Sequence, residues 1–351
     1  MDANKELIEA LNQLEKEKDI SKEVLLETIE NSLLAACKNE FGKTENISVN
    51  INRETGEVKV FATRVIVETV TEPADEITME QAKKLHPRKK MSIGDELLVE
   101  VTPKNFGRIA AGKAKQVIVQ KIREEERKSI YDQFYGKSRE VVTGVVQRLV
   151  GKNYTINLGK CDAVLAEKEQ IKGETFRPQE RVKLYVLDVL NTGKGPKITV
   201  SRTHPELVRR LFEAEVTEVR DGVVEIKAIA REAGARTKMA VSSNDENVDP
   251  TGACVGLNGA RVNAIVDELR GEKIDIINWS DDPAILIKNA LGPAKVLSVD
   301  VYDDEKCARV IVPDNQLSLA IGKEGQNARL AAKLTGYKID IKSESQVGEV
   351  Y

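Results

Sequence analysis

The feature that most constrains this fold is a near-repeat close to the C-terminus. VGLNGARVNAI, starting at Val255, and IGKEGQNARLA, starting at Ile321, each hold Gly-x-x-Gly followed by a pattern typical of a helix. A chain of 351 residues with 23 glycines is expected to contain about 1.5 such spacings by chance, so the spacing alone indicates nothing. The sequence around the two stretches must decide whether they are copies of one unit.

The surrounding sequence repeats as a whole. Residues 205–279 and 282–341 both predict the order α-β-β-α-loop-α-β, with Gly-x-x-Gly as the loop between two helices. The glycine pairs lie 66 residues apart, and the closing Lys-Ile-Asp-Ile runs, at Lys273 and Lys338, lie 65 apart. This register predicts two copies of one domain, here called the first copy (204–280) and the second copy (281–346), followed by a tail at 347–351.

A Gly-x-x-Gly turn between two helices suits a nucleic-acid backbone. Without a Cβ, glycine turns sharply and lets a ligand come close. The helix that follows presents free N–H groups and the positive end of its dipole. A phosphodiester would fit there, with about four unstacked bases in the adjoining groove. The alternative is a tight helix–helix turn that binds nothing.

Helical periodicity separates candidate contacts from core positions near each loop. Val262, Ile265, Val266 and Leu269 are predicted to face inward after the first loop, and Ala328, Ala331 and Ala332 after the second. The candidate RNA contacts of the first copy are Gly256, Leu257, Asn258, Gly259, Arg261 and Asn263. Those of the second copy are Gly322, Lys323, Glu324, Gly325, Gln326, Asn327 and Arg329. Lys323 could neutralise one phosphate, whereas Leu257-Asn258 carries no cation, so Arg261 would have to substitute.

Residues 137–203 predict a different domain. Five short β-rich runs separated by glycine turns, without a long helix, favour a five-stranded barrel of the oligonucleotide-binding type. Tyr154, Phe176 and Tyr185 are its candidate surface aromatics, although strand alternation could bury any of them. The candidate RNA contacts are Arg139, Arg148, Lys152, Tyr154 and Lys160, and each cation could equally be an ordinary solvated side chain.

The N-terminal part, 1–125, predicts an α/β domain. Helical patterns at 4–18 and 21–39 precede a hairpin within 46–70, a short helix at 79–85, a strand, and a long connector helix from Asn105 to about Tyr135. Charge is uneven along the chain, with a net of −9 over residues 1–80, +7 over 104–152 and −6 over 204–351. The acidic start argues against nucleic acid there, the basic middle permits it, and the acidic end argues against indiscriminate phosphate binding by the two copies.

Composition excludes several classes of protein. Two histidines and four scattered cysteines cannot form a zinc ligand set at normal spacing, so we expect no metal, no cofactor and reduced thiols. No apolar run reaches the length of a membrane span, and the charged N-terminus is unlike a signal peptide. We therefore expect a cytoplasmic protein of multidomain α+β class. We further expect a monomer without catalytic activity.

The repeated unit resembles the type II KH domain, in its bacterial α-β-β-α-α-β form, and the barrel resembles an S1 domain. The order N-terminal domain, S1, KH, KH is similar to that of the NusA family of bacterial transcription termination/antitermination proteins, in a form without extra C-terminal repeats. The stretches that carry the resemblance are AKQVIVQKIREEER, SRTHPELVRRLFEAEV, EIKAIAREAGARTKMAV, DPTGACVGLNGARV, GEKIDI and AIGKEGQNARLA. KH loops often hold a basic residue between the glycines, and Leu257-Asn258 departs from that pattern.

The resemblance implies a function that the spacing does not show. It implies that 1–125 binds core RNA polymerase and that S1-KH-KH contacts the nascent single-stranded RNA. It further implies pausing, intrinsic termination and, with other Nus factors, antitermination. The alternative is a KH/S1 RNA-binding module acting in ribosome assembly or RNA degradation, although residues 1–125 show no D-x-D-type cluster or phosphate loop of a nuclease.

Overall fold

A computed structural model describes residues 3–18, 20–41, 46–87, 90–103 and 106–348. The chain forms two compact units, one ending at Ser129 and the other beginning at Ile130. Helices and antiparallel and parallel strands occur in both, as expected of a multidomain α+β protein. Asn105 and residues 349–351, on which the predicted start of the connector helix and most of the predicted tail fall, lie outside the described residues.

The N-terminal unit packs helices on a four-stranded sheet. Strand β2 pairs antiparallel with β1 and β4 and parallel with the short β3, which the sequence did not predict. The buried face of α2 includes Leu25, Ile29 and Leu33, whereas Val24 is exposed. Its elements are α1 (Ala3–Lys18), α2 (Lys22–Phe41), β1 (Ile47–Ile51), β2 (Val58–Val67), β3 (Glu76–Thr78), α3 (Met79–Leu85), β4 (Glu96–Glu100) and the first part of α4 (Phe106–Tyr135).

The second unit begins with a closed barrel whose strand order is β5-β6-β7-β9-β8. All neighbouring pairs are antiparallel except β7 with β9. Gly144 is required at the tight barrel wall, because a Cβ there would lie 2.3 Å from Cγ2 of Ile156. The strands are β5 (Val141–Val150), β6 (Asn153–Asn157), β7 (Asp162–Leu165), β8 (Arg181–Thr192) and β9 (Gly195–Ser201).

Both copies have the same topology, and their elements fall close to the predicted positions. Each has a three-stranded sheet whose first two strands are antiparallel and whose last two are parallel. The first copy comprises α5 (Pro205–Glu215), α6 (Thr217–Arg220), β10 (Val224–Glu232), β11 (Arg236–Ser243), α7 (Pro250–Val255), α8 (Ala260–Glu268) and β12 (Lys273–Asn278). The second comprises α9 (Pro283–Ala290), β13 (Ser298–Tyr302), β14 (Cys307–Val312), α10 (Leu317–Ile321), α11 (Gln326–Thr335), β15 (Lys338–Ser343) and α12 (Glu344–Gly348).

The hydrophobic core of the second copy extends onto the sheet of the first copy, which also has a core of its own. Ala230 and Ala240 of the first copy pack in the same buried cluster as Ile287 and Leu330 of the second. Small side chains on β10 and β11 let the helices of the second copy approach the sheet of the first. Because burial holds the copies together, the spacing of their two loops is fixed by packing.

The barrel is joined to the first copy by packing and by buried charge. The ring of Tyr185, on β8, stacks on His204 with centroids 4.7 Å apart. Arg202 is 1% exposed and donates to Glu174 of the barrel and to the side chain and carbonyl oxygen of Glu268, on α8. A buried arginine with carboxylates on both sides restricts relative motion of barrel and first copy.

In the described part of the chain, no helix is long and apolar enough to cross a membrane, and no cluster of ligating side chains could hold a metal ion. None of the four cysteines forms a disulfide bond. Burial raises the pKa of the Cys254 thiol to about 11, which keeps it protonated at neutral pH.

Candidate nucleic-acid interface

The two Gly-x-x-Gly loops have the same backbone shape although their central residues differ. The first glycine of each adopts a positive φ with extended ψ, a region almost restricted to glycine. The third residue and the second glycine are left-handed. The (φ, ψ) pairs are Gly256 (75°, 174°), Asn258 (51°, 28°) and Gly259 (78°, 12°), against Gly322 (76°, 172°), Glu324 (53°, 27°) and Gly325 (74°, 14°). Two different tetrapeptides therefore fold to one geometry, as expected for a duplicated functional part.

Both loops are held in place by the residue that lies five positions after the first glycine. A Cβ on Gly256 would lie 2.8 Å from Cγ of Arg261, and a Cβ on Gly322 would lie 2.8 Å from the backbone nitrogen of Asn327. The loop backbone is thus packed tightly against the first turn of α8 or α11. A ligand would meet a shape that is already formed.

The helix that leaves each loop begins without a side-chain cap. The N-cap positions of α8 and α11 are Gly259 and Gly325, and neither helix start has a side-chain capping hydrogen bond. The N–H groups of a helix's first turn have no partner within the helix, and the dipole is positive there. The uncapped starts leave donors available to an anion such as a phosphate.

The loop tips are open to solvent. Leu257 is 86% exposed, the highest value among the large apolar side chains of the described residues. Asn258, Lys323 and Glu324 are also exposed. Each tip can therefore be reached by a passing strand, but only the second copy places a cation there.

The first copy keeps one of its two predicted helix contacts available. Asn263 is exposed, and its Nδ2 lies beside Gly259. Arg261 is already engaged: its Nη1 donates to the carbonyl oxygen of Ala253 at 2.7 Å and forms an ion pair with Glu218 at 2.9 Å. Arg261 therefore supports the loop from within its own copy, and the first loop lacks a free cation of its own.

The structure of the second copy contradicts one predicted RNA contact. Asn327 is 5% exposed, and its Nδ2 donates to the carbonyl oxygens of Leu291 and Ala320 at 3.0 Å each. The prediction of an exposed Asn327 side chain is wrong, because this position must pack beneath Gly322. The buried stripe of α11 is Asn327, Leu330, Ala331 and Leu334, whereas Ala328 and Ala332 are only half-buried.

The other two helix contacts of the second copy bind a carboxylate of the first. Arg329 Nε donates to Glu232 at 2.6 Å and Gln326 Nε2 donates to the same carboxylate at 3.0 Å. These hydrogen bonds hold the pKa of Glu232 below its ordinary value. Glu232, at the end of β10, contacts two residues of the candidate site, and sequence reasoning missed it because these partners lie more than 90 residues away and no local pattern marks them.

The barrel keeps its candidate cations at the surface but not its aromatics. Arg139, Arg148, Lys152 and Lys160 are exposed, and Lys152 forms an exposed ion pair with Glu167 at 2.9 Å. Tyr154 is 9% exposed and packs edge-on against Phe176. The expectation of a surface Tyr154 is therefore wrong, because strand alternation turns it into the barrel, and Phe176 and Tyr185 are buried as well.

A barrel of the oligonucleotide-binding type, followed by two helix–loop–helix units that open uncapped helix starts to solvent, defines a modular protein for single-stranded nucleic acid. Family models describe the same parts. "NusA N-terminal domain" matches residues 6–128, "NusA-like first KH domain" matches 202–279, and "NusA-like second KH domain" matches 283–349. The chain belongs to the NusA family.

Similar proteins agree with that assignment. The chain is 54% identical over 345 residues to the transcription termination/antitermination protein NusA of Bacillus subtilis, covering 98% of this chain and 92% of that one. It is 40% identical over 358 residues to the protein of the same name from Thermus thermophilus, covering 99% and 92%. Among solved structures, the N-terminal domain of NusA from B. subtilis is 48% identical and covers 35% of this chain and 98% of that chain, with a TM-score of 0.31.

Proposed function

We propose that this chain is a transcription termination/antitermination factor that binds core RNA polymerase and nascent single-stranded RNA. The proposal of RNA binding is supported by the two loops. They share one backbone geometry, and each is followed by a helix whose N-terminus has no side-chain cap. The two copies are packed together through the core of the second copy, so one strand can be held at two fixed points. In the cell, the protein works in the cytoplasm, as a monomer and without catalysing a reaction.

We assign polymerase binding and RNA binding to different parts of the chain. Residues 1–125 form the polymerase-binding domain, with a connector helix to about Tyr135, and 137–203 form an S1 domain. The two KH domains are 204–280 and 281–346. The net charge of −9 over residues 1–80 suits a basic or apolar polymerase surface and disfavours RNA.

The two loops contribute unequally to RNA binding. Lys323 supplies a cation to the second loop, whereas the first offers Leu257 and Asn258 and its nearest arginine is engaged. Recognition by amide donors and a helix dipole needs few cations, which fits the net charge of −6 over 204–351. The affinity for a short strand is therefore modest, and it depends less on salt than that of a strongly basic protein.

The loops are tested by replacing Leu257-Asn258 and Lys323-Glu324 with Asp-Asp in the full chain. Acidic side chains at the tips repel phosphates, so the affinity for a single-stranded RNA of about 20 nucleotides should fall while the fold is retained. Lys83→Asp with Lys84→Asp, at exposed positions of α3, changes the net charge by the same amount and is the matched control. Equal RNA affinity of loop variant and control would remove the loops from the mechanism.

Polymerase binding is tested with a fragment of residues 1–130 and a fragment of residues 137–351. The first should bind core RNA polymerase in the absence of RNA, and the second should bind RNA. Polymerase binding by the second fragment alone would reverse the proposed division. Transcription of a template with a hairpin pause, with and without the full chain, then tests whether pausing and termination change.

A further inference from the structure

The last turn of α4 carries the most exposed aromatic side chain of the described residues. Tyr135 is 62% exposed, and only Leu257 exceeds it among large apolar side chains. The three aromatics of the barrel strands and loops are buried. An aromatic surface beside this barrel must therefore come from the helix that precedes it.

Tyr135 does not stand alone. The ring of Tyr131 lies one helical turn earlier on the same face, with centroids 5.5 Å apart and planes tilted by 30°. Tyr131 is half-buried and packs against the barrel core. The exposed ring is thus backed by a second ring that is fixed in the fold, which limits the conformational entropy lost when a ligand stacks on it.

The chain after α4 anchors this tyrosine pair to both neighbouring domains. The N–H of Ser138 donates to the carbonyl oxygen of Tyr135 at 3.0 Å, and the N–H of Arg139 donates to that of Val186, in β8, at 3.0 Å. The carbonyl oxygen of Arg139 accepts from Nε of Arg210, on α5 of the first copy, at 3.2 Å. The pair therefore keeps a fixed position relative to the barrel and the first copy.

The charges around the pair are balanced. Lys137 and Arg139 are exposed, and so are Asp132 and Glu140. Charge alone would not select an anion at this place. The exposed ring of Tyr135 instead suits the π-face of a base, which stacks on aromatic side chains whatever its identity.

We infer that Tyr131 and Tyr135 form a stacking platform for a base of the same single strand that the two copies hold. The inference rests on the proposed function, because it needs an RNA strand that continues from the first copy towards the barrel. Tyr135 makes the contact and Tyr131 positions it. The exposed cations Lys137 and Arg139 flank the platform, where the adjoining phosphates would pass.

The test compares three variants of the full chain for binding to a single-stranded RNA of about 20 nucleotides. Tyr135→Ala should weaken binding by at least about fivefold, the lower end of what one stacked base contributes. Tyr135→Phe keeps the ring and should bind like the wild type. Tyr302→Ala removes a tyrosine that is 46% exposed on β13 and serves as the matched control, with no expected change.

Each other outcome overturns the inference. Wild-type affinity for Tyr135→Ala, equal losses for Tyr135→Ala and Tyr135→Phe, or an equal loss for Tyr302→Ala would each exclude a stacking role of this ring. A loss of core polymerase binding by Tyr135→Ala without RNA would assign the ring to a protein contact instead. Failure of the wild-type chain to bind RNA would refute the proposed function, whereas normal wild-type binding with an unaffected Tyr135→Ala would refute the platform alone.

Discussion

Among single residues, the first glycine of each loop adopts a conformation that is almost restricted to glycine. A Cβ at either position would also meet a close neighbour, and the two neighbours differ. The Cβ of an alanine at 256 would press on the flexible side chain of Arg261, whereas at 322 it would press on the backbone nitrogen of Asn327. A side chain can move aside more cheaply than the backbone of a helix. The two substitutions should therefore differ in their effect on stability.

We predict that Gly322→Ala is more destabilising than Gly256→Ala. The backbone conformation alone costs about 1–3 kcal/mol in both, and the overpacking at 322 adds about 1–3 kcal/mol. Urea unfolding followed by circular dichroism measures the difference. Gly325→Ala is the control, since nothing lies within 4 Å of its Cβ and only its left-handed φ is strained, at about 1–2 kcal/mol. Equal midpoints for Gly322→Ala and Gly325→Ala would contradict the packing argument.

The sequence alone located both loops but not the fate of every side chain near them. Glycine spacing and the repeated register placed all four glycines in loops between helices, because both signals can be read directly from the order of residues in the chain. Asparagine is usually a surface residue, so the sequence predicts that Asn327 is exposed. Its burial is favourable because its side chain donates to the carbonyl oxygens of Leu291 and Ala320, which only the folded chain brings close to it. Tyr154 shows the same limit, because alternation along a strand does not reveal which face is inside.

At the scale of secondary-structure elements, β10 of the first copy meets α11 of the second through Glu232. The carboxylate accepts from Arg329 and Gln326 and so neutralises the arginine nearest the second loop. It thereby reduces the positive potential that a phosphate at Gly322–Gly325 would meet. Weakening this contact should strengthen RNA binding as long as the two copies stay packed.

We predict that Glu232→Gln tightens RNA binding and increases its salt dependence. The glutamine can still accept a hydrogen bond, but it leaves Arg329 with an uncompensated charge that can neutralise a phosphate. One further neutralised phosphate steepens the plot of log affinity against log salt by about 0.7 for a single strand. Glu225→Gln, an exposed position on the same strand, is the control. Identical salt slopes for the two variants would show that Arg329 does not reach the RNA.

The first copy carries one buried carboxylate, Glu272, and one half-buried carboxylate, Asp275, whose ionisation couples its stability to pH. Burial raises the pKa of Glu272, but hydrogen bonds and charge from Arg231, with hydrogen bonds from Thr237 and the N–H of Gly234, outweigh it and leave the pKa below 4.5. The pKa of Asp275 shifts in the same way. Burial raises this pKa, but Arg236 and Lys238 lower it by more, so that it lies below 3.8. Both groups bind fewer protons in the folded than in the unfolded state.

We predict that the first copy loses stability as the pH falls below about 4.5. A depressed folded pKa contributes stability that is present above the unfolded value and is lost as the pH falls through the folded value. Trp279, the single tryptophan, follows β12 and packs against the core where the two copies meet, so its fluorescence reports unfolding. The urea concentration at the midpoint of unfolding should be constant between pH 7 and 6 and should decrease from pH 5 to 3. Thr237→Val removes a 2.6 Å hydrogen bond to Glu272, which brings the folded pKa of Glu272 closer to the unfolded value and should make the decline smaller. A flat profile in both proteins would contradict the prediction.

The elements themselves were largely predictable, and the exceptions are short. Changes of the hydrophobic period from 3.6 to 2 residues, together with the glycine turns, predicted the bounds of the strands and helices of the barrel and of both copies to within a few residues. The three-residue β3 and the four-residue α6 carry too few positions to show a period. They exist because neighbouring strands and helices complete their hydrogen bonds and packing.

At the scale of the molecule, barrel and first copy are connected through Arg202, which no sequence pattern singled out. Its guanidinium donates to the carbonyl oxygen of Lys183 at 2.9 Å as well as to Glu174 and Glu268, and Glu174 is almost fully buried. Residues from both domains thus complete one hydrogen-bond set. This set helps to hold the barrel and the first copy in one relative position.

We predict that Arg202→Ala separates barrel and first copy without unfolding either one. Removing Arg202 takes away the closer cation partner of the buried Glu174 and leaves only Arg270, at 3.3 Å, so the cost is at most about 3–5 kcal/mol. Calorimetry should show a lowered transition that splits into two, and affinity for long single-stranded RNA should fall because its contacts are no longer held in register. Arg220→Ala, which breaks an exposed pair with Asp221, should cost no more than about 1 kcal/mol. The double variant Arg202→Met with Glu174→Gln removes both charges and should regain part of the stability. If the single and double variants unfold at the same temperature, loss of the Arg202 charge beside Glu174 is not the cause, and the junction depends on other contacts, such as Tyr185 on His204 and Arg270 to Glu180.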